Sequence, residues 1–424
     1  MGIPVVFGHL HSLKLRLKLY DGTLCITKYK GIGGDVAIPE QIDGKTVTQI
    51  YHYAFMDCTL ITSIVIPDSV KDIGYYAFSG CTSITSITIP ANVTNLIRKS
   101  PDKNSTYYGV AHPFANCTSL TDVNISEKNR EYKSVDGIVY SKDGTKLLIY
   151  PAGRKGNFEI PNGVVEIEDM AFYSNKFIAL LVISNEVETI GTEAFTGCDS
   201  LKTVIIPESV TNIDYSFSGG YNFTVYGVIG SYANQYADDE RLKFVDISKV
   251  HIDKLNGIIL QLYDKSTVDN TELKVISVET DLDNTVIYDI TLLDKNGNQI
   301  QPEESITVKI PLPFSYDVKI KVYRKEANNQ YTDMNASYSD GYMVFTTDHF
   351  SEYTVTAQNL IPDTITGDVN GDNSVNDRDS ILLDRYLAEW GSEVIIEASD
   401  MNGDGKVNDQ DSIILARTLA GWYD

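Results

Sequence analysis

The sequence predicts a multidomain chain of three modules: a β-rich repeat solenoid, an antiparallel β-sandwich, and a small α-helical module with two EF-hand-like calcium loops. Three observations lead to this fold class. A unit of about 23 residues recurs over residues 25–247. From about Val250 this period gives way to alternation of apolar and polar residues. After Thr366, an acidic loop followed by an apolar helix occurs twice. A length of 424 residues suits several domains.

The repeat unit is marked by a phenylalanine that follows alanine in most copies. Each unit contains one short strand, such as "SIVIP" or "TVIIP", and then a turn and an irregular or helical stretch. One such unit cannot bury its apolar face alone, whereas stacked units share a continuous core. The sequence therefore predicts a solenoid over residues 1–248, with caps. The repeat phenylalanines are Phe55, Phe78, Phe114, Phe172, Phe195 and Phe217.

The recurring pattern Ala-Phe-x-x-Cys-x-x-Leu/Ile resembles the leucine-rich repeats of bacterial surface antigens, the BspA-like or treponemal type. The resemblance implies a leucine-rich-repeat solenoid whose concave strand surface meets a protein or polysaccharide ligand. It also implies a hairpin insertion over Tyr132 to Gly153 and a C-terminal cap over Tyr226 to Ile247.

Four cysteines occupy the same position of the repeat, and Asn175 takes that position in another unit. Metal binding or disulfide formation is one interpretation. A buried ladder of small residues is the other, and we favour it because the chain has no Cys-x-x-Cys pair and ligand clusters do not follow a structural period. Free thiols in a secreted protein would suit an oxygen-free habitat. The four are Cys58, Cys81, Cys117 and Cys198.

The segment 249–357 contains short alternating runs at roughly ten-residue spacing, which predicts an antiparallel β-sandwich. Its end, "FTTDHFSEYTV", resembles the last strand of Ig-like modules in extracellular proteins. We expect a spacer. Carbohydrate binding through exposed tyrosines is the alternative, with Tyr316, Tyr331 and Tyr342 as candidates. Asp348, His349 and Ser351 do not form a catalytic triad, because neighbours along a strand alternate between its faces.

A linker is expected at 358–366, followed by the duplicated tail 367–424. Acidic or amide residues fall at loop positions 1, 3, 5, 9 and 12 of both copies. Calcium is a hard ion that takes six to eight oxygen ligands, and a twelve-residue loop offers them from alternate positions and one backbone carbonyl. The tail therefore predicts two Ca²⁺ ions. The ligands expected for the first are Asp368, Asn370, Asp372, the Ser374 carbonyl and Asp379, and those for the second are Asp400, Asn402, Asp404, the Lys406 carbonyl and Asp411.

The tail differs from ordinary EF-hands, because position 12 is Asp rather than Glu and no helix precedes the first loop. In this it resembles the type I dockerin, the calcium-loop duplication that attaches proteins to cohesin modules of a scaffoldin. The resemblance implies cohesin contacts at positions 10, 11, 17 and 18. The Ser-Thr pair usual at positions 10 and 11 is absent, so the cohesin type is left open. The implied contact residues are Asp377, Arg378, Asp384, Arg385, Asp409, Gln410, Ala416 and Arg417.

Charge and missing motifs narrow the function. A net charge of −23 disfavours nucleic acid and anionic lipid as partners. No apolar run is long enough for membrane insertion. The N-terminus does not resemble a signal peptide, so if the protein is secreted, the signal has been removed or the start is truncated. Neither Gly-x-Ser-x-Gly nor His-Glu-x-x-His occurs, so we expect no enzyme.

These features together predict a non-catalytic secreted component of a cellulosome-like complex, on an anaerobic bacterium. Two alternatives are a cell-surface adhesin and a dockerin-borne carbohydrate-active enzyme with an unrecognised active site.

Overall fold

The computed structural model describes residues 5–6, 14–96, 98–99, 110–214, 223–262, 265–278, 280, 282, 285–312, 320–327, 330–357, 366–367, 369, 375–388, 394–402 and 406–420. The chain divides into two compact units. Unit 1 comprises Met1–Ser277, Asp289–Pro313 and Ala336–Phe350, and unit 2 comprises Val278–Tyr288, Phe314–Asn335 and Ser351–Asp424. Among the described residues, no helix has the length and apolar character needed to cross a membrane.

The first half of the solenoid is built from short strands. Leucine alternates with charged residues along β2, and β2 pairs antiparallel with β3. Parallel pairing begins with β3 and β6, with β4 and β7, and with β9 and β12. The strands are β1 (Val5–Val6), β2 (Leu15–Tyr20), β3 (Thr23–Tyr29), β4 (Gly34–Ala37), β5 (Gln41–Ile42), β6 (Lys45–Ile50), β7 (Ile61–Val65), β8 (Asp72–Ile73), β9 (Ser86–Ile89), β10 (Arg98–Lys99), β11 (Val110–Ala111) and β12 (Asp122–Ile125).

The second half contains two sheets, whose strands pair in parallel except for the antiparallel β13-β14-β15 at the start of the first. One has the order β13-β14-β15-β17-β19-β21, and it starts with the expected hairpin insertion. The other has the order β16-β18-β20-β22-β23, and it ends at the expected cap. The elements are β13 (Tyr132–Val135), β14 (Ile138–Ser141), β15 (Lys146–Ile149), β16 (Phe158–Glu159), β17 (Glu166–Ile167), β18 (Leu180–Val182), β19 (Thr189–Ile190), β20 (Thr203–Ile205), β21 (Asn212–Ile213), β22 (Thr224–Gly227), α1 (Tyr232–Asp239) and β23 (Lys243–Asp246).

The repeat phenylalanines form two internal stacks. Successive ring centroids lie 4.6 to 5.7 Å apart, a distance at which aromatic pairs add to the burial of their surface. Tyr29 begins the first stack and Tyr150 begins the second, although sequence reasoning assigned neither to the ladder. Phe217 lies outside the described residues. The first stack is Tyr29, Phe55, Phe78 and Phe114, and the second is Tyr150, Phe172 and Phe195.

The cysteines follow the buried-ladder interpretation. All are free, and Cys58 alone among them is half-buried rather than buried. The thiols of Cys81, Cys117 and Cys198 each donate to the carbonyl of the phenylalanine in the preceding unit, at 3.1 to 3.3 Å. Burial raises the pKa of the Cys117 thiol to about 12. Asn175 fills the same position, and its side chain makes four hydrogen bonds to backbone groups.

The strands after the solenoid are antiparallel, as their period predicts. In unit 1 the sheet order is β24-β25-β29-β33-β32. In unit 2, β30 pairs with β31 and β34. The Ig-like β-sandwich and the domain bounds drawn from sequence stay predictions. After a 3-10 turn (Ile247–Lys249), the elements are β24 (Val250–Asp253), β25 (Ile258–Gln261), α2 (Lys265–Asn270), β26 (Thr271–Val278), β27 (Thr285–Asp294), β28 (Gln299–Ile300), β29 (Ile306–Pro311), β30 (Lys321–Lys325), β31 (Tyr331–Asp333), β32 (Ser337–Ser339), β33 (Tyr342–Thr347) and β34 (Glu352–Thr356).

The tail is a small helical module within unit 2. Its helices are α3 (Asp377–Leu387), α4 (Ile396–Ser399) and α5 (Asp409–Leu419). Leu383 of α3 and Leu415 of α5 are fully buried in one apolar cluster with Val369. Both leucines stand at position 16 of their copies, so the duplicated sequence places equivalent residues at the centre of the module.

Candidate functional site

The helices α3 and α5 begin in the same way, because the two copies have nearly the same sequence there. Asn376 and Asn408 are the N-cap residues, and their side chains accept from the backbone two residues on, at 3.0 and 2.9 Å. In turn, the carboxylates of Asp379 and Asp411 accept from the backbone amides of Asn376 and Asn408, both at 2.9 Å. Each pair is a capping box, which fixes the point where loop becomes helix.

Asp379 and Asp411 are fully buried, which is unusual for carboxylates and requires hydrogen bonds or a cation. Beyond its cap bond, Asp411 accepts from the backbone amides of Met401 and Asn402, at 2.9 and 3.3 Å. One carboxylate thus connects the beginning of the second loop to its end. Loop position 12 is therefore fixed from both sides, as a closed loop requires.

The structure describes half of the expected calcium ligands. Asp400 is half-buried and caps α4, Asn402 and Lys406 are exposed, and Asp379 and Asp411 lie as stated above. Within the described ranges, no group of three or more His, Cys, Asp or Glu residues is assembled for a metal. The oxygen donors of the set suit a hard cation, and the ligand assignment stays a prediction. The expected ligands outside the described residues are Asp368, Asn370, Asp372, Ser374 and Asp404.

All eight expected cohesin-contact residues are exposed on α3 and α5. Among them, Asp384 of α3 accepts from the hydroxyl of Ser412 on α5. The equivalent of Asp384 in the second copy is Ala416, which has no group to accept such a bond. The contacts with a partner stay a prediction.

Helices α3 and α5 each also expose an isoleucine that sequence reasoning did not select. Ile381 is 54% exposed and Ile413 is 53% exposed. Both stand at position 14 of their copies, four residues before the arginine at position 18. The sequence signal that could have identified these isoleucines is an apolar residue among the charged and polar residues of the helix face. The two copies thus present the same apolar centre beside different polar neighbours.

The strand face of the second half of the solenoid is covered. Leu180, Val182 and Ile205 point away from the repeat core, and they are buried in a cluster that includes Val250 and Ile259 of the following sheet. This packing lies within unit 1. The expected concave ligand surface is therefore occupied over these repeats by the chain itself.

Tyr342 of β33 belongs to the same packing. Its hydroxyl lies 2.8 Å from Oγ1 of Thr203, and the side chain is buried. Tyr342 is therefore wrong as a candidate for an exposed sugar platform. Tyr331 is half-buried, and Tyr316 lies outside the described residues.

Two family models match the chain. The model described as "BspA type Leucine rich repeat region" matches residues 41–135 and 155–254 in six copies. The model described as "Dockerin type I domain" matches residues 366–420. Both regions are therefore present, and both are non-catalytic modules. A search of curated proteins gave no match.

Solved structures similar to the chain include bacterial repeat proteins. A leucine-rich repeat protein from Eubacterium ventriosum is 20% identical, and the match covers 54% of this chain and 73% of that chain with a TM-score of 0.32. The pneumococcal vaccine antigen PcpA is 15% identical over 57% of this chain and 98% of its own, with a TM-score of 0.26. A chain in a type I cohesin–dockerin complex from Clostridium thermocellum is 37% identical over 14% of this chain and 95% of its own, with a TM-score of 0.14.

Proposed function

Because the chain carries a BspA-type leucine-rich repeat region and a type I dockerin domain, we propose that it is a non-catalytic, secreted subunit of a cellulosome-like complex. The dockerin domain attaches it to a cohesin module, and the repeats bind a protein or polysaccharide. The dockerin match over residues 366–420 is the observation that carries the proposal.

The exposed faces of α3 and α5 support docking through the tail. Protein interfaces combine a central apolar contact with a polar rim. Ile381 and Ile413 supply the apolar centre in each copy. The rim is formed by the eight residues at positions 10, 11, 17 and 18, which include Arg378 and Arg385 in one copy and Arg417 in the other.

Calcium is the cofactor that this proposal requires. Asp400, Asn402, the Lys406 carbonyl and Asp411 would hold one ion together with Asp404, and the equivalent residues 368, 370, 372, 374 and 379 would hold the other. When bound, the ion would neutralise the carboxylates of each loop and stabilise the loop next to its helix. The buried position of Asp379 and Asp411 supports this role.

The proposal is tested with the full chain and a panel of type I cohesins, by gel filtration with light scattering. In calcium we expect a 1:1 complex with at least one cohesin, and in EDTA the two separate proteins. Ile381→Asp and Ile413→Asp should weaken the complex singly or together, depending on which helix faces the cohesin. An Ile229→Asp variant, which changes an exposed residue of the solenoid, is the matched control. Failure of every cohesin in calcium contradicts the proposal.

A further inference from the structure

A cleft of about 770 Å³ lies in unit 1, where the strand face of the solenoid meets β24. On the solenoid side its rim carries Asn162, Asn185 and Glu208, all exposed. Its floor includes the buried side chains of Val182 and Ile205. We name this space the repeat cleft. Concave sites with an apolar floor and a few polar groups are the usual form of ligand sites.

The solenoid side of the repeat cleft is periodic. Asn162, Asn185 and Glu208 follow one another at intervals of 23 residues, so they occupy the same place in successive repeats. In the parallel sheet, Glu159 pairs with Val182, and Val182 pairs with Ile205. Adjacent strands of a sheet lie about 4.8 Å apart. The cleft therefore offers a row of polar groups that recurs at about this distance, at right angles to the strands.

The opposite side of the repeat cleft is fixed to the solenoid. Ile252 of β24 lines it, and Lys254 just beyond β24 forms an ion pair with Glu159. Nδ2 of Asn157 donates to the carbonyls of Lys254 and Leu255, at 3.3 and 3.0 Å. These bonds, with the apolar packing beneath, hold the two sides at a fixed separation. Contacts within the chain thus position both walls of the cleft.

We propose that the repeat cleft binds a linear, uncharged polysaccharide that runs along the solenoid, across the strands. This inference rests on the proposed function, in which the repeats are the ligand-binding part of the chain. Amide and carboxylate side chains hydrogen bond to sugar hydroxyls, and the C–H faces of sugar rings pack on the half-buried Val228 and Ile252. A β-linked glycan advances by one ring over a distance similar to the strand spacing, so successive rings meet equivalent groups.

Charge and spacing argue against other polymers. Glu159 and Glu208 repel a polyanion, as does the net charge of −23. Among the described residues that line the repeat cleft, Lys254 is the one cation, and it is paired with Glu159. An extended peptide advances by about 3.4 Å per residue, with side chains on one face about 6.8 Å apart. That period does not match the spacing of about 4.8 Å between equivalent groups of successive repeats.

The test is affinity electrophoresis and calorimetry of the full chain with soluble neutral polysaccharides, namely xyloglucan, galactomannan and mixed-linkage β-glucan. Polygalacturonate serves as the anionic probe. The cleft variant is Asn185→Ala combined with Glu208→Ala, both at exposed positions. The matched control is Asp68→Ala, because Asp68 occupies the same turn position as Glu208 in a repeat outside the cleft. Far-UV circular dichroism confirms that each variant is folded.

We expect one neutral polysaccharide to bind, with at least tenfold weaker binding in the cleft variant and unchanged binding in Asp68→Ala. Equal binding by the cleft variant and the wild type overturns the site, and binding of polygalacturonate alone overturns the ligand class. If the wild-type chain forms the cohesin complex but binds none of the glycans, this inference is overturned and the docking proposal stands. Glycan binding without cohesin binding supports this inference and contradicts docking.

Discussion

Replacing Asp411 with Asn tests the closure of the second loop. The carboxylate is fully buried and accepts from three backbone amides, those of Met401, Asn402 and Asn408. The new amide group can point its NH₂ at Asn408 or at the other two, and either choice leaves a buried N–H facing a donor. A hydrogen bond to a charged group contributes about 1.5–3 kcal/mol, and an orphaned buried N–H costs about 1–3 kcal/mol. We expect the module to lose about 3 kcal/mol in EDTA.

The assay is hydrogen–deuterium exchange of the full chain in EDTA. The amides of α5 should exchange on the order of 100-fold faster in the variant, since about 1.4 kcal/mol corresponds to a factor of ten. Amides of β20 in the solenoid should be unchanged. The control is Asp409→Asn, two residues away and exposed. If the α5 amides are equally protected from exchange in the Asp411→Asn and Asp409→Asn variants, the buried carboxylate does not stabilise the loop, and our reasoning is refuted.

Three further predictions concern unit 1. Ile205→Asp should lower the free energy of unfolding by about 3 kcal/mol or more, because it places an unpaired charge among buried side chains. The repeat-equivalent Thr88→Asp is exposed and should change it by less than about 0.5 kcal/mol, and equal urea midpoints would contradict the covered strand face. Burial lowers the pKa of His112 from 6.5 to about 4, so its neutral form contributes fully above pH 6.5 and its contribution is lost as pH falls towards 4. In urea titrations, the difference in the free energy of unfolding between wild type and His112→Asn should therefore fall by about 3 kcal/mol between pH 7.5 and pH 4. An unchanged difference would refute the buried neutral imidazole. Finally, a thiol reagent should modify Cys58 first in the native chain and the other cysteines only after unfolding, whereas uniform reactivity would contradict the ladder.

The repeat core could be predicted because its signal is local and periodic. The spacing alone assigns Phe172 and Cys198 to equivalent positions of the repeat, and the structure places both in the repeat core. Tyr150 was missed because tyrosine replaces the ladder phenylalanine there. The physical requirement is a planar ring of similar size, which a pattern of identical residues does not express.

The covered strand face was missed for a different reason. Leu180, Leu181 and Val182 form a continuous apolar run, which is typical of a strand buried on both sides. In β9, in the first half of the solenoid, the outward positions are polar, at Ser86 and Thr88. The contrast was available, but the sheet that covers the second half lies far along the chain, and its position depends on packing that no local pattern contains.

In the tail, the capping boxes follow directly from the sequence. The burial of Asp411 and its bonds to Met401 and Asn402 do not, because they depend on how the loop closes on itself. Ile381 and Ile413 were overlooked because exposure on a short amphipathic helix is set by how α3 and α5 pack. Contacts with a partner are harder still to predict from the sequence, since they depend on the shape of the cohesin.

The most direct test of our account is calorimetric titration of the full chain with type I cohesins, in calcium and again in EDTA. We predict binding at one cohesin per chain in calcium, and at least a hundredfold loss of affinity in EDTA. Restored binding on adding calcium back would show that the loss comes from the metal. Equal affinity in calcium and EDTA, or no binding to any cohesin of the panel in calcium, would contradict the account of this chain as a calcium-dependent docking subunit.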